Sequence, residues 1–218
     1  YLRLDLLMAH PEQIQLLKEM GIRGAFFGVE SFNDASSKCI GKGIKSEAAK
    51  QMLYDLKSKH WGKNVKISIS LIVGLPYETI DSLTQTKEWM LSDRCLVDGV
   101  TVFPLGIYKN SDIWQSEFTQ NSEKYGYQVD RHGFWTCSKS EITDYNMAKR
   151  IASDMDKVAK DKHINKSSFN IFYLSSLAVF SEPKATLDDL INMDHEELDN
   201  WRDKNRNICA KRMIKAYK

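Results

Sequence analysis

The chain has 218 residues, 42% hydrophobic and 28% charged, enough to bury a real core as one large domain or one and a half small ones. Its formal charge of +2 points to no polyanionic partner for the whole chain, and the composition is that of an ordinary globular protein. Cys39, Cys95, Cys137 and Cys209 stand more than 40 residues apart, which excludes a small disulfide framework or a Cys-x-x-Cys metal site and makes a reducing cytoplasm the expected location.

The chain opens at Tyr1 inside an apolar run, so residues are expected to precede it. Residues 2–7 read as a short strand and 11–20 as a helix, with Pro11 in its first turn and Gly21 after its end. Residues 22–29 read as a strand, and 46–59 as a helix that Ser46 can cap. A strand at 65–73 puts Val65, Ile67, Ile69 and Leu71 on one face. A helix at 79–91 and a last strand at 97–104 complete the alternation. Strands and helices taking turns predict parallel strands with right-handed crossovers. Four strands can form half of an eight-stranded barrel; an open doubly wound sheet is the alternative.

Beyond residue 110 the strand signal fades. Residues 111–137 read as irregular, with Trp114, Phe118, Tyr125, Tyr127, Phe134 and Trp135. Ser138 and Glu141 form a capping-box pattern ahead of a helix carrying Tyr145, Ala148, Ile151, Ala152, Met155 and Val158 on one face. Helices follow at 169–180 and 186–193, and Asp194 with Glu197 opens a final one to about residue 216. The longest apolar run, 171–180, is too short to span a bilayer and is broken by Ser175 and Ser176, so no membrane partner is expected.

Function is expected at the strand ends, where an α/β barrel builds its site. After the strand at 22–29, Glu30 can accept from an ammonium or a ribose hydroxyl, and Ser31 can donate or accept. Asp, Ser and Asn also supply ordinary turn caps at such places. Lys42, in Gly41-Lys42-Gly43, can swing back over the same rim as a point charge; a solvated loop lysine is its plainer reading. Ser70 lies within its strand, Gly74 lets backbone approach a flat ligand, and Pro76 stiffens the turn. Phe103-Pro104-Leu105 ends the last strand, where its backbone can meet an adenine edge. The five histidines lack ligand spacing, which discounts a histidine metal site. Seven Lys or Arg against one Asp at 201–218 make a basic terminal helix, read as a solvated face, with nucleic acid a less favoured partner. A Schiff-base aldolase would need a strand lysine; Lys66 qualifies by place, but the alternation turns it outward.

GVESF, then IGKG after a short polar segment, then a helix and SLIVGLPYET, then VTVFPL: in that order these segments resemble the radical S-adenosylmethionine (radical SAM) superfamily. The branch they look most like includes oxygen-independent coproporphyrinogen dehydrogenases and cobalamin-dependent radical enzymes. The resemblance covers about residues 1–110 and implies the third to sixth strands of a partial (β/α)6 TIM-type barrel. About four parallel β/α units would then form a core at 1–110, followed by an irregular, then mainly helical region at 111–218. By the same resemblance Glu30 would contact the methionyl part of S-adenosylmethionine, and Lys42 would pair with its carboxylate. Ser31 would lie beside the ribose. Ser70 stands where an Asp often faces a ribose hydroxyl, a departure that weakens that contact. Ile72, Gly74 and Leu75 would line the adenine, Phe103 to Leu105 would close it, and Arg3 would face the mouth.

The hallmark Cys-x-x-x-Cys-x-x-Cys of that superfamily does not occur here. By the resemblance, the ligands of its [4Fe–4S] cluster would lie upstream of Tyr1, and this chain would be an inactive fragment of the enzyme. The intact protein would cleave S-adenosylmethionine reductively and abstract hydrogen from a substrate, small or macromolecular. Its electrons would come from a reductant such as flavodoxin or ferredoxin, and the branch leaves room for cobalamin. The rival reading is a non-catalytic α/β module that binds a nucleotide or a partner; iron content of the intact protein separates the two.

Overall fold

A computed structural model describes residues 1–108, 117–162, 185–193 and 195–216. Two short helices, α1 (Leu4–Ala9) and α2 (Glu12–Glu19), lead into β1 (Gly24–Glu30). Helices α3 (Asp34–Cys39) and α4 (Ser46–Asp55) carry the chain to β2 (Lys66–Val73), and α5 (Ile80–Leu91) carries it on to β3 (Gly99–Pro104). The three strands are parallel and ordered β1-β2-β3, as strand–helix alternation predicts.

Register decides what each sheet face carries. Phe27 pairs with Ile69 and Ile69 with Val100, so the period of two gathers Ala25, Phe27, Ile67, Ile69, Val73, Val100 and Val102 on one buried face. Each of the Val, Ile and Phe side chains among them contributes about 1.5–3 kcal/mol on burial. The opposite face carries Phe26, Gly28, Ser70, Ile72, Thr101 and Phe103, and it opens to the cavity described below.

The expected strand at 2–7 is not there. Only Leu2 bridges to Phe27, with its N–H donating to the Phe26 carbonyl at 2.9 Å, and the chain then winds into α1. Leu4 and Leu7 are the buried pair, and Leu6 is 53% exposed. Leucines three apart share a helical face, so the tertiary contact selects the period of 3.6. Ser46 does not cap α4 either. It is the first helical residue, and its N–H donates to Asp34 Oδ1 at 2.7 Å. α4 continues into a π-helical turn, Leu56–Trp61, whose Trp61 stacks on Phe27 and donates to the Ile14 carbonyl. Thr79 caps α5 in a reciprocal box with Ser82.

At the amino ends of the strands Asp98 is a clamp. Its Oδ2 accepts from Lys57 Nζ at 2.5 Å and from the Ile67 N–H at 2.8 Å, with Lys66 Nζ 3.4 Å from Oδ1. Lys66 is thus tied at the end of the sheet away from the cavity, where a Schiff-base lysine has no use.

The segment expected to be irregular contains a hairpin. β4 (Tyr127–Val129) and β5 (Trp135–Cys137) pair antiparallel, Tyr127 opposite Cys137. The turn between them has Asp130 Oδ1 accepting from the N–H groups of His132 and Phe134, and Gly133 at φ 82°. An Asp followed three residues on by Gly was the available signal; strands of three residues are too short to show a period. Helix α6 (Glu117–Gln120) precedes the hairpin and α7 (Tyr145–Asp161) follows it. Ala148, Ala152, Met155 and Ala159 bury one stripe of α7 against β3, β2 and α5. Its cap is Asp144, whose Oδ1 accepts from the Met147 N–H at 2.8 Å, and not the expected Ser138–Glu141 box. Asp156 Oδ1 accepts from the Val102 N–H at 3.2 Å on β3. Helices Leu187–Asn192, capped by Thr186 with Asp189, and His195–Ala216 end the described chain. Trp114, the helix expected at 169–180 and Asp194 lie outside the described residues. Among those described, no helix is long and apolar enough to cross a membrane.

Candidate functional site

A cavity of about 750 Å³ opens over the polar sheet face, toward the carboxyl ends of the three strands. Its polar corner is built by β1. The pairing slips between Gly28 and Glu30, and Glu30 sits at φ 70°, a left-handed conformation unusual for a residue with a side chain. Together they fold the Glu30 carboxylate back over Gly28. A Cβ at Gly28 would come within 2.4 Å of Glu30 Oε1, so a side chain there would push the carboxylate out of its place.

Lys42 arrives from the other side. Gly41 and Gly43, at φ 76° and 65°, turn the chain so that Lys42 Nζ donates to the Gly28 carbonyl at 2.9 Å and lies 3.5 Å from Glu30 Oε1. The two side chains are 28% and 18% exposed, so the pair is shielded without being sealed. Ser70 Oγ donates to Glu30 Oε2 at 3.3 Å. A carboxylate, an ammonium and a hydroxyl thus converge beside Ile72, Thr101 and the half-exposed Phe103. This arrangement suits a zwitterionic head attached to a flat or apolar body.

The structure brings Glu30, Lys42, Ser70, Ile72 and Phe103 to one cavity, with Arg3 at its wall, bound to Asp5. It places Ser31, Gly74, Leu75 and Leu105 elsewhere. Ser31 is buried, its Oγ donating to Glu78 Oε1 at 3.2 Å and accepting from the Asn33 N–H. Gly74 packs under Trp135, Leu75 is 1% exposed, and the Leu105 carbonyl accepts from Trp135 Nε1 at 2.7 Å. Thr101 and Gly28 were missed by sequence reasoning, although each lies two residues before a selected position on its own strand.

Glu78 was also missed. It is 3% exposed, accepts from the Gly74 N–H at 2.7 Å, and burial pushes its carboxyl up to about 7. Nearby, Tyr127 Oη donates to the Gly74 carbonyl at 2.7 Å, and burial raises that phenol well above its ordinary value. A second cavity, about 540 Å³, lies between the hairpin and the start of α7. Its carboxylates, Asp130 and Asp144, are occupied in capping the turn and the helix.

No family model matches the chain, and no curated protein matches it. Among solved structures it is similar to coproporphyrinogen III oxidase (HemN) from Escherichia coli, described as a radical SAM enzyme. That similarity has 19% identity and a TM-score of 0.36, over 54% of this chain and 30% of that one. It is also similar to Elp3 from the archaeon Methanocaldococcus infernus, lacking its N-terminus, at 14% identity and a TM-score of 0.43, over 71% of this chain and 40% of that one. The chain therefore spans less than half the length of either structure.

Proposed function

We propose that the cavity binds S-adenosylmethionine and that the chain is part of a radical SAM enzyme. The observation that carries this reading is the Glu30–Lys42 pair with Ser70. The sequence offers these residues at or near strand ends, and their polar atoms meet at the carboxyl end of a parallel sheet. In this reading Glu30 accepts from the ligand's ammonium, Lys42 pairs with its carboxylate, Ser70 meets the ribose, and Ile72 and Phe103 flank the base. We assign the core to residues 1–110, braced by the hairpin and α7.

When bound in such an enzyme, S-adenosylmethionine supplies the means of abstracting hydrogen once an electron reaches it. An iron–sulfur cluster does not fit the residues described. Among them no group of three or more His, Cys, Asp or Glu side chains could hold a metal ion, and the side chains of Cys95 and Cys137 are buried. What this chain's own residues supply is binding and orientation of the nucleoside. The electron donor would be a reductant such as flavodoxin or ferredoxin.

Glu30→Ala and Lys42→Ala should each weaken S-adenosylmethionine binding by the intact protein by about 1–3 kcal/mol, the range of a charged hydrogen bond. Isothermal titration reads this as a Kd about five to 150 times higher. Absence of binding by the unaltered protein, or unchanged affinity in both variants, overturns the reading.

A further inference from the structure

β2 and β3 stay paired through the cavity-lining positions Ile72 and Phe103 and stop just past them. The Leu105 N–H donates to the Val73 carbonyl at 2.8 Å, one residue past the last paired positions, Val73 and Pro104. Beyond that rung the two strand ends are met from outside the sheet by the hairpin. Tyr127 Oη holds the Gly74 carbonyl and Trp135 Nε1 holds the Leu105 carbonyl, both at 2.7 Å. The two rings meet edge to face at 5.1 Å, so the carbonyls are gripped by one rigid aromatic pair. Both residues are almost fully buried, at 1% and 3% exposure, and neither lines the cavity. Ile72 and Phe103, which do line it, lie two residues before the gripped carbonyls.

We propose that Tyr127 and Trp135 are positioning residues, which hold the β2 and β3 ends just past the cavity-lining Ile72 and Phe103 and thereby fix where those two side chains stand. Each buried carbonyl has a donor that is specific in direction, and removing that donor leaves the acceptor without water to replace it. The strand ends then gain freedom while the sheet below, paired on both sides of β2, keeps its own ladder.

The test uses Tyr127→Phe and Trp135→Phe in the full chain, with Leu53→Ala, a core truncation on α4, as a control for general destabilisation. Hydrogen exchange followed by mass spectrometry should show residues 72–76 and 103–107 exchanging about five to ten times faster in the two hairpin variants. Residues 24–28 and 66–70 should stay unchanged, and Leu53→Ala should not reproduce this local pattern. Faster exchange spread evenly over the sheet, or none at the strand ends, overturns the proposal. A second readout rests on the ligand reading given above: S-adenosylmethionine affinity should fall about fivefold in both hairpin variants. If the unaltered protein binds no S-adenosylmethionine, that reading falls, while the exchange pattern still decides the role of the hairpin.

Discussion

Gly74→Ala is expected to destabilise the protein by about 2–5 kcal/mol, measured by urea unfolding. Two separate costs make up the figure. Gly74 sits at φ 99°, a region that side chains rarely adopt, at a cost of about 1–2 kcal/mol. A methyl there would also lie 2.6 Å from Trp135 Cζ2 and 2.8 Å from Cη2, inside any allowed contact, and overpacking of this kind costs about 1–3 kcal/mol. The indole cannot retreat easily, because its Nε1 is bonded to the Leu105 carbonyl. A phenyl ring lacks the two atoms concerned. In the double variant Gly74→Ala/Trp135→Phe the packing cost should vanish while the backbone cost remains. Strictly additive effects of the two substitutions would sink the steric account.

Glu78→Gln should remove a pH dependence that the unaltered protein carries between about pH 4.5 and 7. The Glu78 carboxyl titrates at about 7 in the native state against an ordinary 4.5, because burial disfavours its charge. Within that window the unfolded chain has lost the proton and the folded protein keeps it. The native state binds more protons, so its stability falls as pH rises through the window. The contribution is fully present below 4.5 and gone above about 7, a loss of about 3 kcal/mol at about 1.4 kcal/mol per pH unit. Glutamine is neutral throughout. Its amide oxygen can still accept from the Gly74 N–H, and its NH₂ can donate to Ser31 Oγ. Unfolding midpoints from pH 5 to 8 should therefore slope downward for the unaltered protein and run flatter for the variant. Parallel slopes would mean that Glu78 does not retain its proton.

The same residues show why part of the site was legible and part was not. Glu30, Ser70 and Phe103 follow from reading strand ends, because a parallel strand presents its last residues to one rim whatever lies around it, whereas Lys42 came from its glycine-flanked turn and Ile72 from the family resemblance. Gly74 was read as a place where backbone approaches a flat ligand. The flat group it meets is the ring of Trp135, 61 residues further along the chain. Glu141 read as part of a local capping box; its Oε2 instead accepts from the Ile80 N–H at 2.8 Å, at the start of α5. Both contacts join the hairpin region to the chain just after β2, Gly74 and the start of α5, and no local pattern encodes them.

What the sequence determined by itself is local and periodic: the aliphatic face of β2, the helices that became α5 and Leu187–Asn192, the buried stripe of α7, and the glycines around Lys42. These depend on spacings of two and of three to four residues, which a few neighbours suffice to specify. Tertiary structure alone decided that 4–9 wind into a helix, that a bulge turns Glu30 back over Gly28, and that Glu78 is buried. Each of these depends on which surface the segment meets, and burial by distant residues can override propensity and shift a carboxyl pKa.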